Sequence, residues 1–316
     1  MVVTGGSHGV GLAVTRTLAA QGARLVLTAP DAEAARAAAQ ELDLSCSCGG
    51  RVTAMALDQR SSTGVDSFVD ALHRACAASG WRVRALVCNA ATMAVEEQRT
   101  REAGDERARE RIAVAATPRK LPLSLAVNHL GTCRLLKRLH ARGLLPCGAR
   151  VVVVSSFTHR CVSPSTLLAW LADHLEAVSS SSSFAAGPTA AATDYARSKA
   201  AVSCAAAHFA ALHGGALSVA MADPGLVDTH LTRHWPSRLR GASRSLGTAL
   251  GLMRAPQAGA EAVLAALRGD HAASPTVPYF FGQHGVRLAP ARTGGGHAWL
   301  ASAVWAGTEA LDLLCE

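Results

Sequence analysis

Long apolar runs, aromatic side chains and an orderly set of cysteines are all missing from this sequence. No stretch of eighteen apolar residues occurs, which excludes a helix that crosses a membrane. Aromatic residues make up 4% of the chain and no basic stripe is interleaved with them, so the net charge of +8 does not indicate a nucleic-acid partner. The nine cysteines are odd in number and irregularly spaced. We therefore expect free thiols in a reducing intracellular compartment, and no disulfide scaffold.

The sequence begins abruptly. Met1 is followed at once by Val2-Val3-Thr4-Gly5, which leaves about three residues for a first strand where ~5–6 are usual. We expect a truncated start, with any targeting signal upstream of it, and the location therefore stays open.

Lysine and tyrosine are scarce, with three lysines among the 31 basic residues and two tyrosines. One of each occurs in Tyr195-Ala196-Arg197-Ser198-Lys199, where a spacing of four puts both on one face of a predicted helix. An ordinary phenol has a pKa near ~10, and a fixed cation beside it favours phenolate and lowers that pKa. The pair predicts proton-transfer chemistry. The alternative is a helix surface that happens to carry both side chains, which the composition disfavours.

Short apolar runs alternate with segments of helical periodicity along the whole chain. The predicted strands are Val2–Thr4, Arg24–Thr28, Arg51–Leu57, Val83–Cys88, Arg150–Ser155, Ala216–Ala222 and Val277–Phe281. The predicted helices are Val10–Gln21, Asp31–Leu42, Ser62–Ser79, Leu121–Arg142, Ser165–Val178, a helix from Tyr195 to about His213, Pro256–Gly269 and His297–Leu314. This alternation is typical of βαβ units. We predict an α/β fold in which residues 1–316 form a single doubly wound Rossmann-type domain, with a parallel sheet of about seven strands and helices on both faces.

Three segments interrupt this pattern. The charge-mixed region near 95–120 predicts a solvated helical insertion, and the region near 160–193 predicts a second one that ends in a flexible loop over Ser179–Thr193. The segment near 230–255 predicts a substrate lid. Its apolar side chains indicate an apolar ligand, its arginines leave room for a carboxylate or phosphate, and contact with a membrane surface stays open.

A glycine-rich turn, Thr4-Gly5-Gly6-Ser7-His8-Gly9-Val10-Gly11, joins the first predicted strand to the first helix. Glycines there let the backbone turn tightly and approach a pyrophosphate, whose charge meets the N–H groups at the helix N-terminus. Such turns are common when taken alone. At the start of a βα series this turn predicts a dinucleotide site.

Taken in chain order, a set of motifs resembles the short-chain dehydrogenase/reductase family: Thr4-Gly5-x-x-x-Gly9-x-Gly11, Asn89-Ala90, Asn128, Ser156 and Tyr195-x-x-x-Lys199. Finer motifs are similar to its retinol-dehydrogenase-like branch, and most similar to the plant "forever young" oxidoreductase type: Val127–Gly131, Ser155–Arg160, Asp223–Thr229 and Tyr279–Gly282. The resemblance covers essentially the whole chain. It implies a Rossmann fold and an NAD(P)-dependent oxidoreductase.

The resemblance implies four catalytic residues. Tyr195 would be the general acid that protonates a carbonyl oxygen, or the base in the reverse direction. Lys199 would lower the pKa of Tyr195 and hold the nicotinamide ribose. Ser156 would hydrogen-bond the substrate oxygen, or simply cap a strand end, and Asn128 would anchor a water that relays protons to Lys199, or be an ordinary satisfied polar residue.

It also implies a cofactor site. Asp58 would meet the adenine amino group, unless it is a helix N-cap. The remaining implied contacts are the turn residues Thr4, Gly5, Ser7, His8, Gly9, Val10 and Gly11, the adenosine neighbours Asn89 and Ala90, the nicotinamide neighbours Pro224, Gly225 and Thr229, and Tyr195 and Lys199 themselves.

The choice of cofactor rests on what is absent near the second strand. A ribose-binding acid would fall at Ala29, and the arginine that reads a 2′-phosphate would fall at Pro30. His8 could contact that phosphate when protonated, with help from Arg24 or Arg60. We therefore favour NADP, with NAD as the alternative.

Two hypotheses remain at this stage. The first is an enzyme that acts on a small-molecule carbonyl/alcohol substrate. In view of the lid we expect this substrate to be lipophilic, and we expect no metal and no nucleic acid, with homo-oligomerisation left open. The second is a catalytically weak or inactive regulatory or scaffold protein on a Rossmann fold. Ala91, where relatives usually have glycine, and the 39 residues between Ser156 and Tyr195 favour the second hypothesis, whereas the complete catalytic set favours the first.

Overall fold

The computed structural model describes residues 1–46, 51–93, 121–180, 188–227, 253–269, 277–282, 286–288 and 298–315. The predicted insertion near 95–120 lies outside the described residues, as do Thr229 and nearly all of the predicted lid. In what is described, no helix combines the length and apolar character that crossing a membrane requires.

The sheet contains eight strands in the spatial order β3-β2-β1-β4-β5-β6-β7-β8. They are β1 (Val2–Val3), β2 (Leu25–Ala29), β3 (Val52–Ala56), β4 (Ala85–Cys88), β5 (Arg150–Val154), β6 (Ser218–Asp223), β7 (Tyr279–Phe281) and β8 (Val286–Leu288). The first seven are parallel, which confirms the predicted sheet. The eighth is antiparallel to β7 and was not predicted, because three residues are too few to show a period.

Helices cover both faces of the sheet. They are α1 (Gly9–Ala20), α2 (Ala32–Cys46), α3 (Ser62–Ser79), α4 (Thr132–Ala141), α5 (Pro164–Ser180), α6 (Pro188–His213), α7 (Pro256–Arg268) and α8 (Ala298–Cys315). Alternate residues of β5 face opposite layers, as the two-residue period of a strand requires. Val151 and Val153 pack into the core with α3, α4 and α6, while Val152 and Val154 pack with α1, α2 and α7.

The helix predicted over Leu121–Arg142 is interrupted. A π-helix runs from Leu125 to Gly131 and α4 follows it directly. Gly131 allows the close approach of this segment to the loop after β3, since a Cβ at that position would lie 2.3 Å from the Gln59 carbonyl oxygen. The apolar periodicity alone did not indicate this change of helix type.

The flexible loop predicted over Ser179–Thr193 is wrong at both ends. α5 continues to Ser180, and α6 begins at Pro188 and so includes the last six residues of the predicted loop. Proline suits the first turn of a helix, and the alanines that follow it have the highest helix propensity. The low-complexity composition was therefore compatible with helix.

Helix α8 closes one side of the molecule. Its buried face packs on α5 and α6 through Leu300, Val304 and Leu311. His129 of the π-helix lies within 2.7 Å of the Thr308 hydroxyl of α8 (Nε2 to Oγ1), and Arg134 of α4 is ion-paired with Asp312 of α8. This helix is therefore part of the core that supports the π-helix.

Replacing Trp305 of α8 tests this role. Trp305 is 7% exposed and packs against the rings of His208 and Phe209. We expect Trp305→Ala to lower the free energy of unfolding by about 3–5 kcal/mol, because a large aromatic leaves a cavity. Leu313→Ala on the same helix is the matched control: Leu313 is 74% exposed, and its change should stay within about 0.5 kcal/mol in chemical denaturation. Equal effects of the two variants would contradict the packing.

Candidate active site

The carboxyl end of β5 and the middle of α6 bring three of the predicted catalytic residues together. The Ser156 side chain lies close enough to the Tyr195 hydroxyl to lower the pKa of that phenol through hydrogen bonding. Lys199 Nζ lies 5.7 Å from the centroid of the Tyr195 ring and donates a hydrogen bond of 2.7 Å to the Val154 carbonyl oxygen. All three side chains are at least 90% buried. Ser156 also caps a short 3-10 helix, Phe157–Cys161, so the strand-end cap and the contact with Tyr195 coexist.

The long separation of Ser156 and Tyr195 in sequence does not keep them apart. Most of the described intervening residues form α5, which packs in one hydrophobic cluster with α6 and α8. The indole Nε1 of Trp170 in α5 donates to Asp194 Oδ1 at 3.0 Å, immediately before Tyr195. The described part of the insertion therefore packs against the Tyr195 helix and leaves the two hydroxyls in contact.

Burial dominates the protonation of the site. It raises the pKa of the Tyr195 phenol well above its usual value, the nearby charge of Asp223 raises it further, and the hydrogen bond with Ser156 acts in the opposite direction. The lowered phenol pKa expected from Lys199 is therefore wrong for this structure. The ammonium does not offset the effect of burial on the phenol because it donates its hydrogen bond to the Val154 carbonyl and lies beside the Tyr195 ring. The phenol accordingly holds its proton at neutral pH.

Burial also acts on Lys199, because it disfavours the charged form of an amine. It lowers the pKa of Lys199 to about 8, and the charge of Asp223 partly opposes this effect. Burial raises the pKa of the neighbouring Cys88 thiol to about 12, so that thiol is neutral at neutral pH.

Asn128 lies in the π-helix and is 2% exposed. Its amide oxygen accepts from the Thr92 N–H at 2.8 Å, and its Nδ2 donates to the Thr92 carbonyl and to Ser198 Oγ, both at 2.9 Å. The side chain thus fastens the segment after β4 to α6, one residue before Lys199. The water relay that the resemblance implies stays a prediction.

The glycine turn has the geometry that the sequence suggested. Gly5 and Gly9 have φ values of 60° and 57°, in the left-handed region that favours glycine. A Cβ on Gly11 would lie 2.2 Å from the Gly5 carbonyl oxygen and 2.4 Å from Asn89 Nδ2, so only glycine fits. Thr4 Oγ1 accepts from the N–H groups of Asn89 and Ala90 at 2.9 and 3.0 Å.

This turn fits the pyrophosphate of a dinucleotide. Helix α1 starts at Gly9 with no acidic residue in its first turn, and within the described residues its N-cap His8 makes no capping hydrogen bond through its side chain. The N–H groups at that end can therefore meet an anion. His8 Nδ1 lies 2.9 Å from Ser7 Oγ in the same turn, on the exposed side.

Two other predicted cofactor residues have partners within the protein. Asn89 Nδ2 donates to the carbonyl oxygens of Thr4 and Gly5 at 2.9 and 3.1 Å, so its side chain braces the turn. Asp58 forms a bidentate ion pair with Arg60, at 2.8 Å for each contact. The alternative role of Asp58 as a helix N-cap is wrong, since Ser61 Oγ accepts from the Gly64 N–H and caps α3.

The remaining cofactor predictions concern the loop after β6 and the arginine helpers. Gly225 has a φ of 77°, and its N–H donates to Asp223 Oδ1 at 2.9 Å beside Pro224. The Arg24 guanidinium lies over the Trp81 ring at 5.6 Å from its centroid.

Sequence reasoning missed one buried pair. The Tyr279 hydroxyl in β7 donates to Asp223 Oδ2 at the end of β6 at 2.7 Å, and both residues are fully buried. In the sequence, both residues occur in motifs that carry the family resemblance, and no role was predicted for either side chain. The signal that could have found them is an acid placed directly after the apolar run of β6, together with the second of the two tyrosines.

Comparisons with known proteins agree with this fold. A family model described as short chain dehydrogenase matches residues 1–164. A polyprenol dehydrogenase from Danio rerio is 30% identical over 270 residues, which cover 83% of this chain and 72% of that protein. A probable oxidoreductase from Streptomyces lividans is 34% identical over 160 residues, but these cover 50% of this chain and only 45% of that relative's length.

Among solved structures, the angucycline C-6 ketoreductase LanV with bound NADP is similar with a TM-score of 0.58 and 25% identity. The similarity covers 86% of this chain and 88% of LanV.

The buried ammonium of Lys199 predicts a pH-dependent stability difference. Its pKa is about 8 in the folded chain against an ordinary 10.5, so the unfolded chain binds more protons between these values and stability from this group rises with pH there. We expect wild type to gain stability relative to Lys199→Met in urea unfolding as the pH rises from 7 to 10. Leu313→Met, which changes an exposed and non-titratable side chain of α8, should show no such pH dependence. A pH-independent Lys199→Met difference would contradict the shift.

Proposed function

This chain belongs to the short-chain dehydrogenase family, and on that premise we propose that it is an oxidoreductase that transfers a hydride between a nicotinamide cofactor and an alcohol/carbonyl substrate. The observation that carries the proposal is the convergence of three buried side chains at the end of β5: Ser156, the Tyr195 phenol on which it acts, and Lys199, whose Nζ lies 5.7 Å from the centroid of the Tyr195 ring. The pair lies at the carboxyl edge of the sheet, where ligands bind in open α/β folds.

The cofactor is NADP in this proposal. The turn from Thr4 to Gly11 and the N-terminus of α1 hold the pyrophosphate, and the nicotinamide when bound supplies or accepts the hydride. The bound NADP of LanV supports this choice. The absence of an acid at Ala29 supports it too, because a carboxylate there would repel a 2′-phosphate. With Arg60 paired to Asp58, His8 is our first candidate to contact that phosphate.

In this proposal, side chains of the protein transfer the proton to and from the substrate oxygen. Ser156 hydrogen-bonds the substrate oxygen and stabilises the negative charge that develops there. Tyr195 gives its proton to that oxygen, and its raised pKa means that the acid form is ready at neutral pH. Lys199, held by Val154, contributes a positive charge behind the ring and holds the cofactor ribose. In the reverse direction Tyr195 accepts the proton.

A lipophilic substrate is supported by three exposed apolar side chains. Phe157, Leu226 and Phe281 are 40%, 40% and 36% exposed. They follow or end β5, β6 and β7, and the carboxyl ends of neighbouring parallel strands meet at one edge of the sheet. That edge is also where Ser156 lies, so the three residues offer apolar surface beside the proposed reaction centre. The name of the Danio rerio relative is consistent with such a substrate.

A second candidate is a scaffold protein with weakened nucleotide binding. The observation that favours it is that Asn89 and Asp58, both expected to face the adenosine, are engaged by the glycine turn and by Arg60. The Ser156–Tyr195 contact argues against it, because a scaffold has no need for paired buried hydroxyls.

Fluorescence titration with NADPH and NADH separates the two candidates. We expect NADPH to bind, and to bind more tightly than NADH, with His8→Ala reducing NADPH affinity more than NADH affinity. Gly11→Val, whose side chain would collide with the Gly5 carbonyl, should abolish binding of both while a folded spectrum is retained. If neither nucleotide binds the wild-type chain, the scaffold reading replaces the enzyme reading.

Tyr195→Phe tests the proton donor. The change removes one hydroxyl, so we expect cofactor affinity to stay nearly unchanged while turnover falls by about 10²–10⁴-fold, the usual contribution of a general acid. Turnover would be followed as NADPH consumption with a panel of retinal, steroids and aliphatic aldehydes. Ser179→Ala, which removes a hydroxyl from the exposed end of α5, is the matched control and should keep wild-type rates. Full activity in Tyr195→Phe would refute the assignment.

A further inference from the structure

The ammonium of Lys199 is a buried charge that needs a counter-charge. Its side chain is 3% exposed, and the hydrogen bond of Nζ to the Val154 carbonyl satisfies one donor without neutralising the charge. An ammonium taken out of water is strongly disfavoured unless an anion lies near it. Of the described groups, two acids act on Lys199, Asp223 and Cys88. Cys88 is a neutral thiol at neutral pH, which leaves Asp223.

The sheet places Asp223 next to the point that holds Lys199. In the parallel pair of β5 and β6, Val154 is aligned with Ala222, and the Ser155 N–H donates to the Ala222 carbonyl. Asp223 is the next residue of β6. Because the Val154 carbonyl accepts the hydrogen bond from Lys199 Nζ, the lysine is held by β5 and Asp223 by the adjacent strand β6, in a fixed register.

The carboxylate of Asp223 is itself tightly held. It is fully buried, Oδ2 accepts from the Tyr279 hydroxyl at 2.7 Å, and Oδ1 accepts from the Gly225 N–H at 2.9 Å. Burial raises the pKa of Asp223, whereas the hydrogen bonds from Tyr279 and Gly225 and the positive charges of Lys199 and Arg160 act in the opposite direction. The Arg160 guanidinium lies 5.3 Å from the centroid of the Tyr279 ring. Donors on both oxygens stabilise the ionised form of a buried acid.

We propose that Asp223, held by Tyr279 and Gly225, is a positioning residue that supplies the buried counter-charge of Lys199 and so keeps that side chain in the ammonium form. The role matters for turnover only if the proposed function is correct, but the electrostatic coupling itself does not require turnover. Asp223 touches neither substrate nor cofactor in this proposal; it acts through Lys199.

In the part of the chain that the structure describes, few charged or titratable groups surround the pair. Lys199 faces Asp223 from β6, Cys88 from β4 and Tyr195 from its own helix. Asp223 faces Tyr279 from β7 and is influenced by Arg160 of the 3-10 helix. The ring of His159 lies 5.3 Å from that of Tyr279, and burial lowers the His159 pKa to about 4, so this ring is neutral at neutral pH.

The scarcity of lysine makes a direct test possible. The chain labelled with [6-¹³C]lysine should give three side-chain signals, and the Lys199 signal is assigned by its loss in Lys199→Arg. We expect the Lys199 signal to titrate near pH 8 in the wild type. In Asp223→Asn, which keeps the shape and loses the charge, the pKa should fall by about 1 unit or more. An unchanged Lys199 pKa would overturn the proposal.

Two further variants separate charge from general destabilisation. Tyr279→Phe removes one donor to Asp223 and should lower the Lys199 pKa in the same direction by a smaller amount. Asp312→Asn removes a different buried acid, the partner of Arg134, and should leave the Lys199 pKa unmoved even if the melting temperature falls. If Asp223→Asn does not fold, Tyr279→Phe decides the matter, and an unmoved Lys199 pKa in that variant counts against the proposal.

The pH profile of turnover supplies a second readout. In Asp223→Asn the alkaline limb of kcat/KM should move to lower pH in parallel with the NMR titration, whereas a purely structural defect would lower kcat/KM at every pH. A chain without turnover but with the expected NMR shift would refute the proposed function and retain the coupling. A chain with turnover but without the NMR shift would support the proposed function and refute the coupling between Asp223 and Lys199.

Discussion

The hydrogen bond from the Lys199 ammonium to the Val154 carbonyl fixes α6 against the end of β5, and the geometry of the candidate site depends on it. It forces a positive charge into the interior beside the central strand. Tyr195 is four residues before Lys199 in α6, so its ring lies beside the ammonium, with its centroid 5.7 Å from Nζ, and Ser156, which follows β5, acts on its hydroxyl. Replacing Lys199 would remove the hydrogen bond that holds α6 against the end of β5.

Desolvation and charge act differently on the two reacting side chains. Burial favours the neutral form of each side chain, so it raises the pKa of the Tyr195 phenol and lowers the pKa of the Lys199 ammonium. The charge of Asp223 opposes burial at Lys199 and reinforces it at Tyr195. A single anion can therefore maintain an ammonium and a protonated phenol side by side, an arrangement suited to donating a proton to a carbonyl oxygen.

The sequence predicted those features that depend on local patterns. The alternation of strands and helices gave the parallel sheet, and the rarity of lysine and tyrosine drew attention to the pair in α6. Features that depend on close approach were not accessible. The π-helix reflects the contact of Gly131 with Gln59, and the Tyr279–Asp223 bond joins residues 56 positions apart. The direction of the Tyr195 pKa shift was missed because spacing cannot show how deeply a ring is buried. The branch and subtype of the family, like membrane contact and self-association, stay predictions.

The link between His129 and Thr308 has a consequence for biosynthesis. His129 is adjacent to Asn128, and its partner on α8 lies 179 residues further along the chain. The π-helix that clamps the segment after β4 therefore cannot acquire its final packing until α8 has been synthesised. A nascent chain that already contains Ser156, Tyr195 and Lys199 would still have an incompletely packed centre, and the apolar side chains of α5 and α6 that α8 covers in the folded chain would be exposed until then.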